Sequence, residues 1–301
     1  MQKITTVIQH IKFSGKEPKR LFHGRGGLYP GLEAVNVDWL CPVLLVTLYN
    51  EVENDWLDAL LKALVDASPV DMQSIVVQRR YLKPAVFETL YGEDVVRFSI
   101  SERGVLYQLD FNAGMHSGLF LDMAEARQWV RAQAKGKKVL NLFSYTCAFS
   151  VAAIAGGAES VVNMDLSRPS LNRGRESHRL NHHDMSCVDF HGHDIFKSWG
   201  KLKRLGPFDL VIVDPPSFQK GSFELAKDYP RVARQLPALL AEGGSVLACL
   251  NDPDQAPEYL TELCAEHCPE LGFKQRLMNP EAFADRDEQR SLKVLYFQRG
   301  S

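Results

Sequence analysis

The chain has 301 residues, of which 45% are hydrophobic and 24% are charged, as is typical of a globular protein with one large or two modest domains. Its net charge of −2 excludes an overall basic character, and no apolar run reaches the roughly 20 residues of a membrane span. The N-terminus has no signal-peptide pattern, and the six cysteines follow no disulfide or zinc spacing. We therefore expect a cytoplasmic protein without a bound metal.

The first 30 residues are locally basic. They carry six lysines or arginines against a single acidic residue, Glu17; the basic residues are Lys3, Lys12, Lys16, Lys19, Arg20 and Arg25. Such a segment is most often a solvated flap, and contact with RNA is the alternative. Arg79, Arg80 and Lys83 could add to an RNA-binding surface through salt-sensitive phosphate contacts.

Residues 1–112 combine strand and helix patterns and predict a small α+β domain. Residues 34–50 (AVNVDWLCPVLLVTLYN) predict two strands divided at Pro42. Apolar residues at helical spacing predict a helix over 55–67. Residues 74–82 predict a strand, and residues 95–112 predict a hairpin that turns at Arg103 and Gly104.

Residues 113–301 alternate short apolar strands with helices. The predicted strands are 137–143, 160–165, 187–194, 208–218, 245–250 and 292–298. The predicted helices are 148–157, 168–181, 229–244 and 256–272. This alternation indicates an α/β domain with a doubly wound, mostly parallel sheet, which binds its ligand beyond the carboxyl ends of the strands.

Three carboxylates and one loop fall at such strand ends. The loop over 141–146 contains no glycine, so it lacks the pattern that cradles the pyrophosphate of a dinucleotide, and it suits a ligand without phosphates. Asp165 could accept hydrogen bonds from a ribose diol, with an N-cap of the next helix as the alternative. Asp194 could accept from the amine of adenine, or cap the segment 195–199.

Three stretches together resemble a known family. The stretches LNLFSYTCAFSVAAIAGGAESVVNMDLS, FDLVIVDPPSF and HSGLFLDMAEAR are similar to motifs of class I methyltransferases that modify large-subunit ribosomal RNA, and they occur in the same order as in that family. The resemblance implies a seven-stranded Rossmann-like domain over 113–301 that binds S-adenosylmethionine and releases S-adenosylhomocysteine. It also implies that 1–112 is the family's small RNA-facing domain, without the further N-terminal RNA-binding domain of some relatives.

The resemblance also implies which residues hold the cofactor. They are Phe120, Asp122, Arg127, Asn141, Phe143, Ser144, Tyr145, Thr146, Asp165, Leu166, Ser167, Asp194, Ile195 and Asp214. We expect Asp122 and Arg127 at the pocket rather than on a distant surface. Cys147 stands where the family often has glycine, so its side chain is expected to narrow the methionine end of the pocket or to shift the loop.

The predicted acceptor side contains Asp214, Pro215, Pro216, Phe218 and Asn251. Asp214 and nearby carbonyls can hold a base nitrogen toward a methyl group, and Phe218 can stack on a base. Relatives that methylate carbon 5 of cytosine carry a cysteine nucleophile where this chain has Asn251, and Cys249 is expected deeper in the strand. The sequence thus favours methylation of a base nitrogen in ribosomal RNA. The alternatives are a methyltransferase of small molecules or proteins, and a non-catalytic module that binds the cofactor.

Overall fold

We describe a computed structural model over residues 2–112, 114–216, 218–219 and 223–300, without the side chains of Gln2, Phe218 and Gln219. The chain divides into two compact units. The first unit extends to Leu121 and also includes Pro280–Glu288, and the second comprises Asp122–Asn279 and the C-terminal segment from Gln289. The boundary predicted after residue 112 thus lies at Leu121. A late segment of the chain also belongs to the first unit, which local sequence patterns do not indicate.

The first unit is built on a mixed sheet in the strand order β1-β2-β3-β4-β5, in which β3 and β4 are parallel and the other pairs antiparallel. Its strands and helices are β1 Lys19–His23, β2 Val35–Leu40, β3 Val43–Leu48, β4 Ser74–Arg79, β5 Val86–Gly92, β6 Arg97–Glu102, β7 Val105–Asp110, α1 Gln2–His10 and α2 Asn54–Ala67. Helix α2 packs on this sheet through Leu57, Leu60 and Leu64, which are buried. The apolar residues recur at helical spacing because one face of α2 covers the sheet.

Two details of the first unit bear on the sequence predictions. The β6–β7 hairpin turns at Arg103 and Gly104, with φ of 50° and 78°, as expected for a two-residue turn that matches the twist of the strands. The prediction of a solvated N-terminal flap was wrong for its first part. Helix α1 buries Ile4 and Val7 in the core of this unit, so only one face of the segment is polar.

In the described part of the second unit, seven strands form one sheet in the order β10-β9-β8-β11-β14-β16-β15. The strands and helices are α3 Ala124–Gln133, β8 Lys138–Leu142, α4 Ala148–Ala155, β9 Ser160–Met164, α5 Arg168–Leu180, β10 Val188–His191, α6 Trp199–Leu205, β11 Phe208–Val213, β12 Phe218–Gln219, β13 Phe223–Glu224, α7 Leu225–Ala233, α8 Leu236–Leu239, β14 Leu240–Leu250, α9 Glu258–His267, β15 Leu271–Leu277 and β16 Lys293–Arg299. Only β16 runs antiparallel to its neighbours. This confirms the predicted fold class.

The central strands are apolar on both faces because helices cover both sides of the sheet. Successive residues of β11 alternate between the two cores: Leu210 and Ile212 pack on one side, Val211 and Val213 on the other. Two local predictions were wrong. The helix predicted over 229–244 ends early, since Leu240 already begins β14. The helix predicted over 256–272 ends at His267, and its last two residues begin the strand β15, which was not predicted. Among the described residues, no helix is both long and apolar enough to cross a membrane.

Candidate active site at the carboxyl ends of the strands

The parallel strands β8, β9, β10 and β11 place their carboxyl ends along one edge of the second unit's sheet. Asp165 directly follows β9, and Asp214 directly follows β11. Asp194 lies three residues beyond the end of β10, and the loop over 143–147 connects β8 to α4. Since β8 and β11 are neighbours at the point where the strand order reverses, this edge is the usual ligand site of a doubly wound sheet.

The loop over 143–147 turns sharply without glycine. Phe143, Tyr145 and Cys147 have φ of 56°, 45° and 58°, in the left-handed region where side chains are disfavoured by about 1–2 kcal/mol each. Backbone hydrogen bonds hold the turn: Ser144 N donates to Met164 O at 3.2 Å, and Cys147 N donates to Ser144 O at 2.7 Å. The loop is therefore fixed by its contacts with β9 rather than by glycine.

The Cys147 side chain points toward α5. It is fully buried, and a Cβ built on Gly174 of α5 would lie 2.5 Å from the Cys147 Sγ. The thiol thus occupies the space that is free because residue 174 is glycine. The effect expected of this side chain, a narrower methionine end of the pocket or a shifted loop, stays a prediction. Burial raises the pKa of this thiol.

Asp165 connects the loop with the start of α5. Its Oδ2 accepts a hydrogen bond from Tyr145 N at 2.8 Å, and its Oδ1 accepts from Ser167 N at 2.7 Å. Burial raises the pKa of Asp165, while these two amides favour the ionised form. The alternative role as N-cap belongs instead to Ser167, whose Oγ accepts from Ser170 N at 3.3 Å. Each carboxylate oxygen of Asp165 keeps a further lone pair with which to accept from a ligand hydroxyl.

Asp194 caps a short helical turn, which is one of the two roles that the sequence predicted for it. Its Oδ1 accepts from Phe196 N at 2.9 Å and caps a short 3-10 turn, Ile195–Lys197. Its Oδ2 lies 3.8 Å from Lys197 Nζ, and the side chain stays about one-third exposed. The carboxylate thus caps the turn and also faces the adjoining cleft.

A cleft that is open to solvent lies between Asp165 and Asp194. Its lining combines these two acids with apolar side chains: Phe143, Leu166, Ile195, Phe196 and Phe223. The pairing of an apolar slot with two hydrogen-bond acceptors fits a nucleoside, whose base is flat and apolar on its faces and whose ribose carries a diol. Half of the Leu166 surface is exposed, so it is available to cover such a ligand.

Asp214 lies in a second group of charges at the end of β11. Burial first, and then the neighbouring Asp122 carboxylate, raise the pKa of Asp214 to about 7, whereas Arg127 acts in the opposite direction. Arg127 is only 3% exposed, so the alternative of a surface pair on α3 is excluded. Asp122 and Arg127 thus lie close enough to Asp214 to change its titration, next to the acceptor motif Asp214-Pro215-Pro216.

Cys249 is a neighbour of Asp214 but is not exposed. It lies in β14, has no exposed surface, and its carbonyl accepts a hydrogen bond from Tyr229 Oη at 3.1 Å. Burial, together with the Asp214 and Asp122 carboxylates, raises the pKa of its thiol well above the usual value. Asn251, by contrast, is exposed directly after the end of β14.

Several predicted residues do not line the cleft. Asn141 lies within β8 and is buried, with its Nδ2 donating to Asn163 Oδ1 at 3.0 Å, because the strand continues to Leu142 before the loop begins. Ser144 and Thr146 are buried in the turn. Phe120 belongs to the first unit, where it is exposed and its ring centroid lies 5.0 Å from that of His116. The side chain of Phe218 lies outside the described residues.

Other residues of this edge carry no motif that a sequence pattern could detect. Phe196 lines the cleft from the short 3-10 turn Ile195–Lys197, and Phe223 lines it from the two-residue strand β13. Arg173 of α5 is buried, its guanidinium carbon lies 5.2 Å from the Tyr145 ring centroid, and its Nη1 has no hydrogen-bond partner in the described part of the chain. Lys293 is buried beside the end of β14 and donates to Asp252 O at 2.6 Å. Arg173 and Lys293 are thus two buried basic residues of this edge that the sequence analysis did not predict.

Comparisons with known proteins agree with this geometry. A family model described as S-adenosylmethionine-dependent methyltransferase matches residues 19–298. The chain belongs to this family. YwbD of Bacillus subtilis is 36% identical over 245 residues, which are 77% of this chain and 60% of YwbD. Ribosomal RNA large subunit methyltransferase I of Aeromonas hydrophila is 30% identical over 227 residues, which are 72% of this chain and 57% of that protein. The chain thus spans less than two thirds of these curated relatives.

A solved structure also resembles this chain. SMU.776, crystallised in complex with SAH, superimposes with a TM-score of 0.87 at 28% identity, over 98% of this chain and 81% of that protein. Family membership makes a nucleoside-containing methyl donor the expected ligand of the cleft. The acceptors on Asp165 and Asp194 and the apolar lining between them fit that class of ligand.

Proposed function

We propose that the chain is an S-adenosylmethionine-dependent methyltransferase of the cytoplasm that methylates a nitrogen atom of a base in RNA, with ribosomal RNA as the substrate. The proposal rests on the family, on the cleft at the strand ends, and above all on Asp214, a carboxylate directly after β11 that begins the acceptor motif and whose pKa is raised by burial. The relatives named as ribosomal RNA methyltransferases support the choice of RNA.

The cofactor-binding role is assigned to residues of the second unit. Asp165 would accept hydrogen bonds from the ribose hydroxyls, since its two oxygens are held by Tyr145 N and Ser167 N and keep free lone pairs. Leu166 and Ile195 would pack against the adenine ring, and Asp194 would accept from its amine. Bound S-adenosylmethionine would supply a methyl group on a positively charged sulfur.

The acceptor would be positioned by the motif after β11. An ionised Asp214 can accept a hydrogen bond from a ring N–H or an exocyclic amine and can take up the proton that the nitrogen loses on methylation. The rigid Pro215-Pro216 pair fixes the backbone that follows, so that much of the rate enhancement is expected to come from positioning. Burial contributes most to the raised pKa of Asp214, Asp122 raises it further, and Arg127 lowers it.

The nitrogen acceptor is favoured over carbon 5 of cytosine by the state of Cys249. A carbon-5 methyltransferase attacks the base with a thiolate, which requires an accessible cysteine of low pKa. Cys249 is buried with a raised pKa, and the exposed position after β14 is held by Asn251. No thiol of the described residues therefore stands at the acceptor side in a reactive form.

The test is transfer of a radiolabelled methyl group from the cofactor to three substrates offered separately: protein-free large-subunit ribosomal RNA, cell protein and a small-metabolite extract. Digestion of the labelled RNA to nucleosides and chromatography would identify the methylated atom. We expect an N-methylated nucleoside with the wild type and at least about 100-fold less with Asp214→Asn, whose cofactor affinity is measured in parallel. Label in 5-methylcytidine, or label only in protein or metabolites, would contradict the proposal. Cofactor binding without transfer to any of the three would support a non-catalytic module.

A further inference from the structure

In the first unit, two arginines share one aromatic ring. Tyr49 directly follows β3, and the guanidinium carbons of Arg25 and Arg80 lie 4.3 Å and 5.6 Å from its ring centroid. Arg80 directly follows β4, which pairs in parallel with β3 so that Leu48 is opposite Arg79. Tyr49 and Arg80 therefore leave the same edge of this sheet side by side, and Arg25 approaches from the turn after β1.

Asn36 of β2 holds Arg25 and Tyr49 in place with its side chain. Its side chain is 1% exposed, its Oδ1 accepts from Arg25 N at 3.3 Å, and its Nδ2 donates to Tyr49 Oη at 3.2 Å. One buried amide thus holds both the backbone of Arg25 and the ring on which the two guanidinium groups rest. The placement of the two cations is set by the folded unit rather than by chance contact of mobile side chains.

Several basic residues of this unit are paired with a carboxylate, and within the described part of the chain Arg25 and Arg80 are not. Arg20 forms a two-point ion pair with Asp38, Arg79 Nε lies 2.8 Å from Glu88, and Lys16 Nζ lies 3.2 Å from Asp71. Among the described residues, no carboxylate lies within ion-pair distance of Arg25 or Arg80. Two like charges held at one ring repel each other, and an anion bound between them would relieve that repulsion.

A neutral histidine borders the same group. Burial first, and then the Arg80 guanidinium, lower the pKa of His116 to about 4, so its ring is uncharged at neutral pH. Arg286 lies on the other side, where its backbone N donates to Gly26 O at 2.7 Å, and its side chain is exposed. The surface around Tyr49 thus offers positive charge and aromatic rings.

We propose that Arg25 and Arg80, held by Tyr49 and Asn36, form the surface through which the first unit binds the phosphate backbone of its RNA substrate. This inference rests on the proposed function, since RNA is the polyanion that a base methyltransferase must hold. Planar guanidinium groups match phosphate in a two-point geometry, and their stacking on Tyr49 reduces the entropy that is lost when they bind. Of the other basic residues of the N-terminal segment, Lys16 and Arg20 are expected to contribute less, because they are already paired with Asp71 and Asp38.

The test measures binding of a fluorescent, protein-free fragment of large-subunit ribosomal RNA at several salt concentrations, with S-adenosylhomocysteine present. We expect the Arg25→Gln/Arg80→Gln variant to bind at least about 10-fold more weakly near physiological salt. We also expect the slope of log affinity against log salt to fall by about 1 to 2, as for two lost phosphate contacts. Arg25→Lys/Arg80→Lys keeps both charges, so it should keep most of the slope while losing part of the affinity.

The matched control is Lys62→Gln/Lys274→Gln, which removes the same number of exposed positive charges elsewhere and should leave the slope unchanged within about 0.5. Calorimetric affinity for S-adenosylhomocysteine should be the same in all variants. If the wild type methylates RNA but the Arg25→Gln/Arg80→Gln variant binds it with unchanged affinity and slope, this inference is overturned and the proposed function stands. If the wild type methylates only protein or metabolites and binds no RNA, both are overturned.

Discussion

The raised pKa of Asp214 predicts that the affinity for the methyl donor depends on pH in a way that the affinity for the product does not. S-adenosylmethionine carries a positive charge on sulfur, and S-adenosylhomocysteine does not. A positive charge near Asp214 favours its ionised form, so that binding of the donor should release a proton whenever Asp214 is protonated beforehand. With a pKa of about 7 in the free protein, Asp214 is protonated in a large fraction of molecules at and below neutral pH.

The magnitude follows from the charges at the site. A unit charge about 5 Å from the carboxylate, at an effective dielectric constant of about 20, would favour the ionised form by roughly 3 kcal/mol, or about two pKa units. The pKa of Asp214 would then fall from about 7 to about 5 on binding. Between these two values the affinity for the donor rises about tenfold per pH unit, and above about pH 7 it becomes constant. The product, which keeps the ammonium group of the donor, serves as the reference.

The assay is isothermal titration calorimetry with both ligands between about pH 5.5 and 8.5, in pairs of buffers with different ionisation enthalpies to count the released protons. We expect the ratio of the two dissociation constants, product over donor, to rise by about 10- to 100-fold across this range, and Asp214→Asn to abolish the rise. Arg127→Gln, which removes the charge that lowers the pKa of Asp214, should shift the rise to higher pH. A ratio that does not change with pH in the folded wild type would refute the reasoning, because then either Asp214 is not near the sulfur or its pKa is not raised.

Three further predictions concern the loop and the strand ends. Asp165→Asn removes one of two acceptors for backbone amides, so we expect about 10- to 100-fold weaker binding of both cofactor forms by calorimetry, and equal affinity in a folded variant would contradict the ribose assignment. Gly174→Ala should destabilise the protein by more than about 2 kcal/mol in urea unfolding because the new methyl group meets the Cys147 Sγ, and Cys147→Gly should restore most of that loss in the double variant. Additive effects of the two changes would show that the contact is not the cause. Cys249→Ala should keep most methyl transfer, and 5-fluorocytosine-substituted RNA should form no covalent adduct with the wild type; an adduct that this substitution abolishes would make Cys249 the nucleophile.

The sequence determined the fold class and the place of the site. Strands of the second unit are short apolar runs because helices cover both faces of the sheet, and this pattern is visible without any tertiary information. A carboxylate that follows such a run must lie at the carboxyl edge of a parallel sheet, and this rule alone predicts that Asp165, Asp194 and Asp214 lie at one edge. Their roles toward a cofactor stay predictions that the calorimetry above would test.

The sequence did not predict the elements that lack a clear pattern of apolar residues. Strand β15 lies at the edge of the sheet, and most of its central residues are exposed, so the segment has no run of buried side chains to mark it. Helix α1 buries Ile4 and Val7, and two buried apolar residues are too few to predict a helix in a basic segment. In both cases tertiary contacts select the conformation rather than local preference: β15 pairs with a neighbouring strand, and α1 packs against the core of its unit.

Only the tertiary structure decided what each charged or polar side chain does. The direction of the Cys147 thiol depends on the left-handed backbone at 147 and on the space beside Gly174, two features from separate elements. The basic residues of the first unit look alike in the sequence, yet Arg20 is paired and Arg25 is not, because only Arg20 lies opposite Asp38 across β1 and β2. The pKa of Asp214 likewise depends on burial and on Asp122, which is far away along the chain. Electrostatic interactions act through space, so the order of residues can name the charged groups but cannot give the distances between them.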